Sequence, residues 1–184
     1  MPQSSVLKPE EQRLINLARR GDSGAQRSLY GLLAPKMYSI CLRYMGDRDT
    51  AQDVLQDGFV TLFSKLDSYS GSGSFEGWAR KIFVNTALMS LRRNDILKES
   101  DDIETARDLT GGSVSALQDI GYKELVRLIG QLPAGFRTVF NMYVVEGYSH
   151  KDIALALGIS ENTSRSQLQR ARVLLQNKIK EMEK

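Results

Sequence analysis

The sequence predicts an all-α fold of two helical domains joined by a flexible acidic linker, and three observations carry that reading. Apolar residues recur at spacings of three and four over most of the chain, while strict apolar/polar alternation is scarce. Only four prolines, Pro2, Pro9, Pro35 and Pro133, interrupt 184 residues. Between residues 95 and 121 the composition turns acidic and poor in apolar side chains, which divides the chain into an N-terminal domain over 9–94 and a C-terminal one over 122–184.

Taken in order, Pro9 opens a first helix to about Arg20, because a proline in the first turn lacks only a donor that would be unpaired there. Leu14, Leu17 and Ala18 share one face of it, and Gly21-Asp22 stops it. Asp22 or Ser23 caps a second helix to about Leu33. A third is expected from Pro35 to Tyr44, ended by Gly46-Asp47. A fourth starts at Asp49 or Thr50, with an inner stripe of Leu55, Phe59, Leu62 and Leu66. A Gly/Ser-rich loop follows, then a fifth helix from Phe75 to Arg93. Residues 94–124 hold eight acidic residues (Asp95, Glu99, Asp101, Asp102, Glu104, Asp108, Asp119, Glu124) against three basic ones (Lys98, Arg107, Lys123), the composition of a mobile linker. The C-terminal domain opens with a short helix ending near Leu132-Pro133, and a second runs from Ala134 to Glu146.

The last segment carries the strongest local pattern. Ser149 caps a short helix, His150–Leu157, with Ile153, Ala154 and Leu157 on its apolar side. Gly158 supplies the turn, Ile159 anchors it, and Ser160 caps a long helix from Glu161 to about Met182. Two helices joined by a glycine turn make a helix-turn-helix, whose second helix enters the DNA major groove. In that helix Leu168, Ala171, Val173 and Leu175 are packing positions. Thr163, Arg165, Ser166, Gln167, Gln169 and Arg170 are the residue types that reach base edges and phosphates. Five basic residues (Arg165, Arg170, Arg172, Lys178, Lys180) and one acidic residue (Glu161) between 159 and 180 suit a phosphate-lined surface.

Bulk properties agree without deciding. A net charge of +3 and a pI near 9.0 hint at a polyanionic partner. One cysteine, Cys41 in an apolar stretch, excludes an intramolecular disulfide and fits a reducing, cytoplasmic location. The opening MPQSSVLKPEEQRL reads as no signal peptide, and no apolar run reaches the roughly 18 residues of a membrane span. There is no phosphate-binding glycine loop and no Cys/His cluster at metal-ligand spacing. The lone histidine, His150, reads as a surface or capping residue. Nothing points to chemistry by the chain itself, so neither an enzyme nor a cofactor or metal is expected.

The N-terminal domain narrows the class. It contains Ala51-Gln52-Asp53-Val54-Leu55-Gln56-Asp57-Gly58-Phe59, then Gly71-Ser72-Gly73-Ser74-Phe75-Glu76-Gly77-Trp78, then Ile82 and Asn85. These resemble region 2 of the extracytoplasmic-function (ECF) group of RNA polymerase sigma factors, and the C-terminal domain, opened by Leu132-Pro133, resembles that group's region 4. The resemblance covers most of residues 22–180. It implies that Asp53, Gln56 and Asp57 dock on the clamp of core RNA polymerase. It also implies that the loop holding Ser72 and Ser74 captures a flipped base of the minus-10 element. Phe75 and Trp78 are types that stack on such a base, although Trp78 also reads as core. Arg80, Lys81, Asn85, Arg92 and Arg93 give the following helix a DNA-facing character. Arg165, Ser166, Gln167 and Arg170 would then read the minus-35 element. Further implied partners are promoter DNA and an anti-sigma factor. This chain departs from the pattern at Gln52 and Asp57 (usually Glu), Gly58 (usually apolar), Ala79 (usually a large aliphatic) and Met89 (usually Asp). The alternative is a stand-alone helix-turn-helix regulator, which would need a sensing or receiver domain; residues 22–93 show no α/β pattern for one.

Overall fold

The computed structural model describes residues 9–93 and 121–182, together with the backbone alone at 122 and 123. The expected linker lies outside these residues except for Gly121. Every regular element among the described residues is helical: α1 (Pro9–Arg19), α2 (Ser23–Met45), α3 (Arg48–Ser64), a 3₁₀ turn (Leu66–Ser68), α4 (Phe75–Arg93), α5 (Tyr122–Gly130), α6 (Ala134–Phe140) running into a π turn (Asn141–Val145), α7 (His150–Leu157) and α8 (Glu161–Met182). The described residues form two compact units, one of 9–42 and 48–90, the other of 43–47, 91–93 and 121–182. No helix among the described residues is long and apolar enough to cross a membrane.

In the first unit the expected break at Pro35 does not occur: α2 is one helix with Pro35 inside it. An internal proline costs about 3 kcal/mol, because it removes a donor and its ring crowds the carbonyl four residues back. Here that carbonyl belongs to Gly31. Gly31 and Pro35 are both exposed, so water reaches the freed acceptor. On the opposite side Leu29, Leu33, Met37 and Ile40 are buried. At roughly 1.5–3 kcal/mol for each buried apolar side chain, these four outweigh the proline. Asp22 is the cap, its Oδ1 accepting from the Ala25 amide at 2.7 Å.

α3 buries the expected Leu55, Phe59 and Leu62, and Leu66 follows in the 3₁₀ turn. Gly58 is buried among them, and the structure explains why it replaces an apolar residue. A Cβ there would lie 2.3 Å from Phe83 Cε1 of α4. Phe83 occupies that volume and meets Phe59 edge to face, ring centroids 5.0 Å apart. Arg19 fastens α1 to the chain beyond α3: Nε donates to the Leu66 carbonyl at 3.1 Å and Nη2 to that of Tyr69.

In the second unit all seven residues of α6 are buried. Its Arg137 is included, and the guanidinium donates to the carbonyls of Gly130 (2.8 Å) and Leu132 (3.1 Å). Burial lowers its pKa, against the opposing pull of Asp47. Leu128, Ile129, Phe136, Val139 and Met142 meet Ile153 of α7 and Leu168, Ala171, Leu175 and Ile179 of α8 in one core. The expected single helix from Ala134 to Glu146 widens at its end, where the Glu146 amide bonds the Asn141 carbonyl five residues back. Tyr143, Val144 and Val145 on this wider turn are exposed.

Candidate nucleic-acid and polymerase interfaces

The helix-turn-helix is built as its sequence suggests. The Ser149 Oγ accepts from the Asp152 amide at 3.1 Å, and the Ser149 amide returns a bond to Asp152 Oδ2 at 3.3 Å, a reciprocal capping box. The Ser149 hydroxyl also donates to that carboxylate at 2.6 Å. Hydrogen bonds from the Ser149 hydroxyl and amide, followed by the charge of Lys151, hold the Asp152 carboxyl below its ordinary range. Gly158 ends α7 at φ 69°, the left-handed region where a Cβ is strained, and its amide bonds the Ala154 carbonyl at 2.9 Å. Ser160 caps α8 by accepting from the Thr163 amide at 2.9 Å.

Along α8 the candidate readers separate by face. Arg165, Ser166, Gln169 and Arg170 are exposed. Gln167 is not among them: at 6 % exposure it lies on the packed face with Ser164, Leu168 and Ala171, about 100° round the helix from each neighbour. Thr163 is half-buried and its hydroxyl is engaged with Ser160 at 2.9 Å, so it serves the cap. Arg165 is held by Glu161 (2.9 Å) and Asn162 (3.3 Å), an exposed pair worth at most about 1 kcal/mol and readily exchanged for a phosphate or base. The Arg170 guanidinium lies 5.9 Å from the centre of the Phe136 ring. Asn162 and Arg172, both exposed, extend this face. Their spacing of three and seven residues from Arg165 was the available signal for including them.

His150 is neither a plain surface residue nor the cap. Its Nδ1 lies 2.9 Å from the Oγ of the fully buried Ser164, and its ring stacks on Tyr143 at 4.4 Å. Burial, then the charge of Arg165, lowers its pKa, with Glu161 opposing and Arg172 adding to the effect.

In the first unit, Ser70, Ser72 and Ser74 are exposed on the loop before α4, which turns through Gly71 (φ 79°) and Gly73 (φ 78°). Beneath it the buried Tyr69 donates its hydroxyl to the Gly73 carbonyl at 2.7 Å. Burial raises the Tyr69 pKa, with Glu11 adding and Arg19 opposing. The Ser74 Oγ accepts from the Gly77 amide at 3.2 Å and so begins α4. Phe75 is 1 % exposed and packs at 5.2 Å on Tyr69 and 5.6 Å on Trp78. It belongs to the core and presents no free stacking face; Trp78 is half-buried. Lys81, Asn85, Met89 and Arg92 follow at spacings of four, four and three along one exposed stripe of α4, with the exposed Arg93 beside Met89. Arg80 is half-buried and turned about 100° from Lys81, off that stripe.

Asp53, Gln56 and Asp57 are all exposed on α3, away from its buried stripe. Val60, 71 % exposed, continues their face. Its apolar side chain at a position off the Leu55–Phe59–Leu62 stripe was the overlooked signal.

Two helical units, one ending in a helix-turn-helix and the other bearing an exposed loop and a basic helix stripe, define the class of helical DNA-binding transcription proteins. Comparison with known proteins sharpens this. The family described as Sigma-70 region 2 matches residues 29–96, and Sigma-70 region 4 matches residues 122–175. The ECF RNA polymerase sigma-E factor of Escherichia coli (strain K12) is 30% identical over 183 residues, 92% of this chain and 94% of that protein. The RNA polymerase sigma-H factor of Pseudomonas aeruginosa is 28% identical over 178 residues, covering 91% and 92%. Among solved structures, the sigma factor RpoE in complex with the anti-sigma factor NepR from Bartonella quintana is similar in fold, with a TM-score of 0.50, 21% identity, and coverage of 84% of this chain and 96% of that one. The chain belongs to the ECF group of sigma-70 family RNA polymerase sigma factors, as an alternative sigma factor. That membership sets aside the stand-alone regulator.

Proposed function

We propose that this sigma factor binds core RNA polymerase through the α3 face of Asp53, Gln56, Asp57 and Val60, and directs it to promoters carrying minus-10 and minus-35 elements. The α3 face is a small acidic and amide surface with an apolar residue, Val60, at its C-terminal end, complementary to a basic docking partner. The Ser72–Ser74 loop and the Lys81–Asn85–Arg92 stripe, with Arg93, would engage the melted minus-10 region. Arg165, Ser166, Gln169 and Arg170 of α8, with Arg172 on phosphate, would read the minus-35 element. Carrying both readers on one chain raises the effective concentration of the second once the first is bound. The observation that carries this reading is that each unit bears its own exposed face of residue types able to reach bases or phosphates, with the packed face elsewhere. The chain acts by binding and not by catalysis, in the cytoplasm where polymerase and promoter meet. An anti-sigma factor of the kind seen with the Bartonella relative would occlude these faces.

The test is run-off transcription over a promoter library. Specific transcripts are expected only when the chain is combined with core polymerase, and weak duplex binding when it is alone. A chain that ignores core enzyme yet shifts its DNA site unaided refutes the proposal.

A further inference from the structure

We propose that His150 is a positioning residue for minus-35 recognition: it fixes the attitude of the reading helix α8 without touching DNA. This inference rests on the minus-35 reading given above. The imidazole joins three elements. It begins α7, its Nδ1 is 2.9 Å from Ser164 Oγ in the second turn of α8, and its ring stacks at 4.4 Å and 22° on Tyr143 of the π turn. Ser164 is 0 % exposed and immediately precedes Arg165. A buried hydroxyl needs a partner, and this one finds it in the histidine.

Two simpler roles are already filled or do not fit. The cap of α7 is complete without His150, since Ser149 and Asp152 satisfy each other. A merely solvated histidine would not lie half-buried between a stacked tyrosine and a buried serine. The wide turn at Asn141–Val145 is what carries Tyr143 to the imidazole, so the departure from ideal helix there has a use. Base contacts by Arg165, Ser166 and Gln169 depend on hydrogen-bond geometry that weakens steeply with misalignment. A tie one residue away from Arg165 therefore governs how well the whole face meets the groove.

The experiment uses holoenzyme assembled from the full chain. Its template is a promoter selected by that holoenzyme from a random-sequence library, in two forms, with the minus-35 element intact or randomised. His150→Ala should reduce transcription from the intact template on the order of tenfold, the size of one lost base contact. Transcription from the randomised template, and competition for core enzyme, should not change. His150→Asn, whose amide nitrogen falls near the position of Nδ1, should restore most of the loss. Ser164→Ala should reproduce it, and the double variant His150→Ala/Ser164→Ala should fall no further than either single one. The dependence of promoter binding on salt should keep its slope in His150→Ala. A slope reduced by about one would make His150 a phosphate contact and overturn the positioning role. Normal minus-35-dependent transcription by His150→Ala, or no rescue by His150→Asn, would overturn it as well. If the unaltered chain cannot distinguish the two templates, the minus-35 reading itself fails and takes this proposal with it.

Discussion

Replacing Gly58 by alanine tests how α3 is held against α4. Alanine in a helix interior normally gains roughly 0.5–1 kcal/mol over glycine. Here the added Cβ would sit 2.3 Å from Cε1 and 2.4 Å from Cδ1 of Phe83. Phe83 has no exposed surface and is braced edge-on by Phe59, so the ring has little room to retreat. Forcing a methyl into such a core costs about 1–3 kcal/mol. The net expectation is a loss of about 1 kcal/mol, and at most about 2.5 kcal/mol, the difference between the two effects. For a unit of this size each kcal/mol lowers Tm by about 4–8 °C. The chain has one tryptophan, Trp78, packed at 5.3 Å against Tyr69, so its fluorescence follows the N-terminal unit. Urea and thermal unfolding monitored there should show Gly58→Ala destabilised. Adding Phe83→Leu should recover part of the loss contributed by Gly58→Ala, a coupling visible in the double-mutant cycle. An alanine variant as stable as or more stable than the parent would refute the claim that Phe83 is why glycine stands at this position.

Other expectations are simpler. Asp53→Ala combined with Gln56→Ala should weaken competition for core polymerase while leaving the Trp78 unfolding transition in place, because both side chains are exposed. Ser149→Ala removes the hydroxyl that accepts from the Asp152 amide and donates to its carboxylate, leaving only the bond from the residue 149 amide. It should cost the C-terminal unit about 0.5–2 kcal/mol by thermal unfolding. The His150 pKa is lowered in the folded chain, so the folded state binds fewer protons than the unfolded one as the group titrates. Its contribution to stability is therefore present above about pH 6.5, the ordinary histidine value, and is lost as pH falls from there through the lowered folded value. Unfolding of the C-terminal unit followed across pH 5–8 should show this loss in the parent and not in His150→Asn.

Much of this architecture could be read from residue order, and where reading failed the reasons are physical. The helix-turn-helix was legible because its information is local: Ser149, Gly158 and Ser160 each act on the nearest turn of backbone. The stripe Leu55–Phe59–Leu62 was legible for the same reason, since spacing along a helix fixes its face. Pro35 misled because its local cost is real, and only the burial of Leu29, Leu33, Met37 and Ile40 outweighs it. Gly58 could not be understood without Phe83, a partner 25 positions further along. The candidate sites divide similarly. Polarity selected Gln167 and Phe75 was chosen for its ring, but each turns into a core that composition alone does not locate. His150 escaped because its meaning lies in two partners, Tyr143 and Ser164, distant in sequence and adjacent in space.

The phenol of Tyr69 has one more consequence. By gripping the Gly73 carbonyl from below, it fixes the shape of the 70–74 loop before any ligand arrives and leaves the Ser72 side chain on the solvent side. Ordering a floppy loop around a guest would consume part of the affinity that the guest's contacts provide. Here part of that entropy is surrendered during folding, so under the proposed minus-10 role a nucleotide would meet a receptacle already cast, and Tyr69→Phe would remove one of the bonds that cast it.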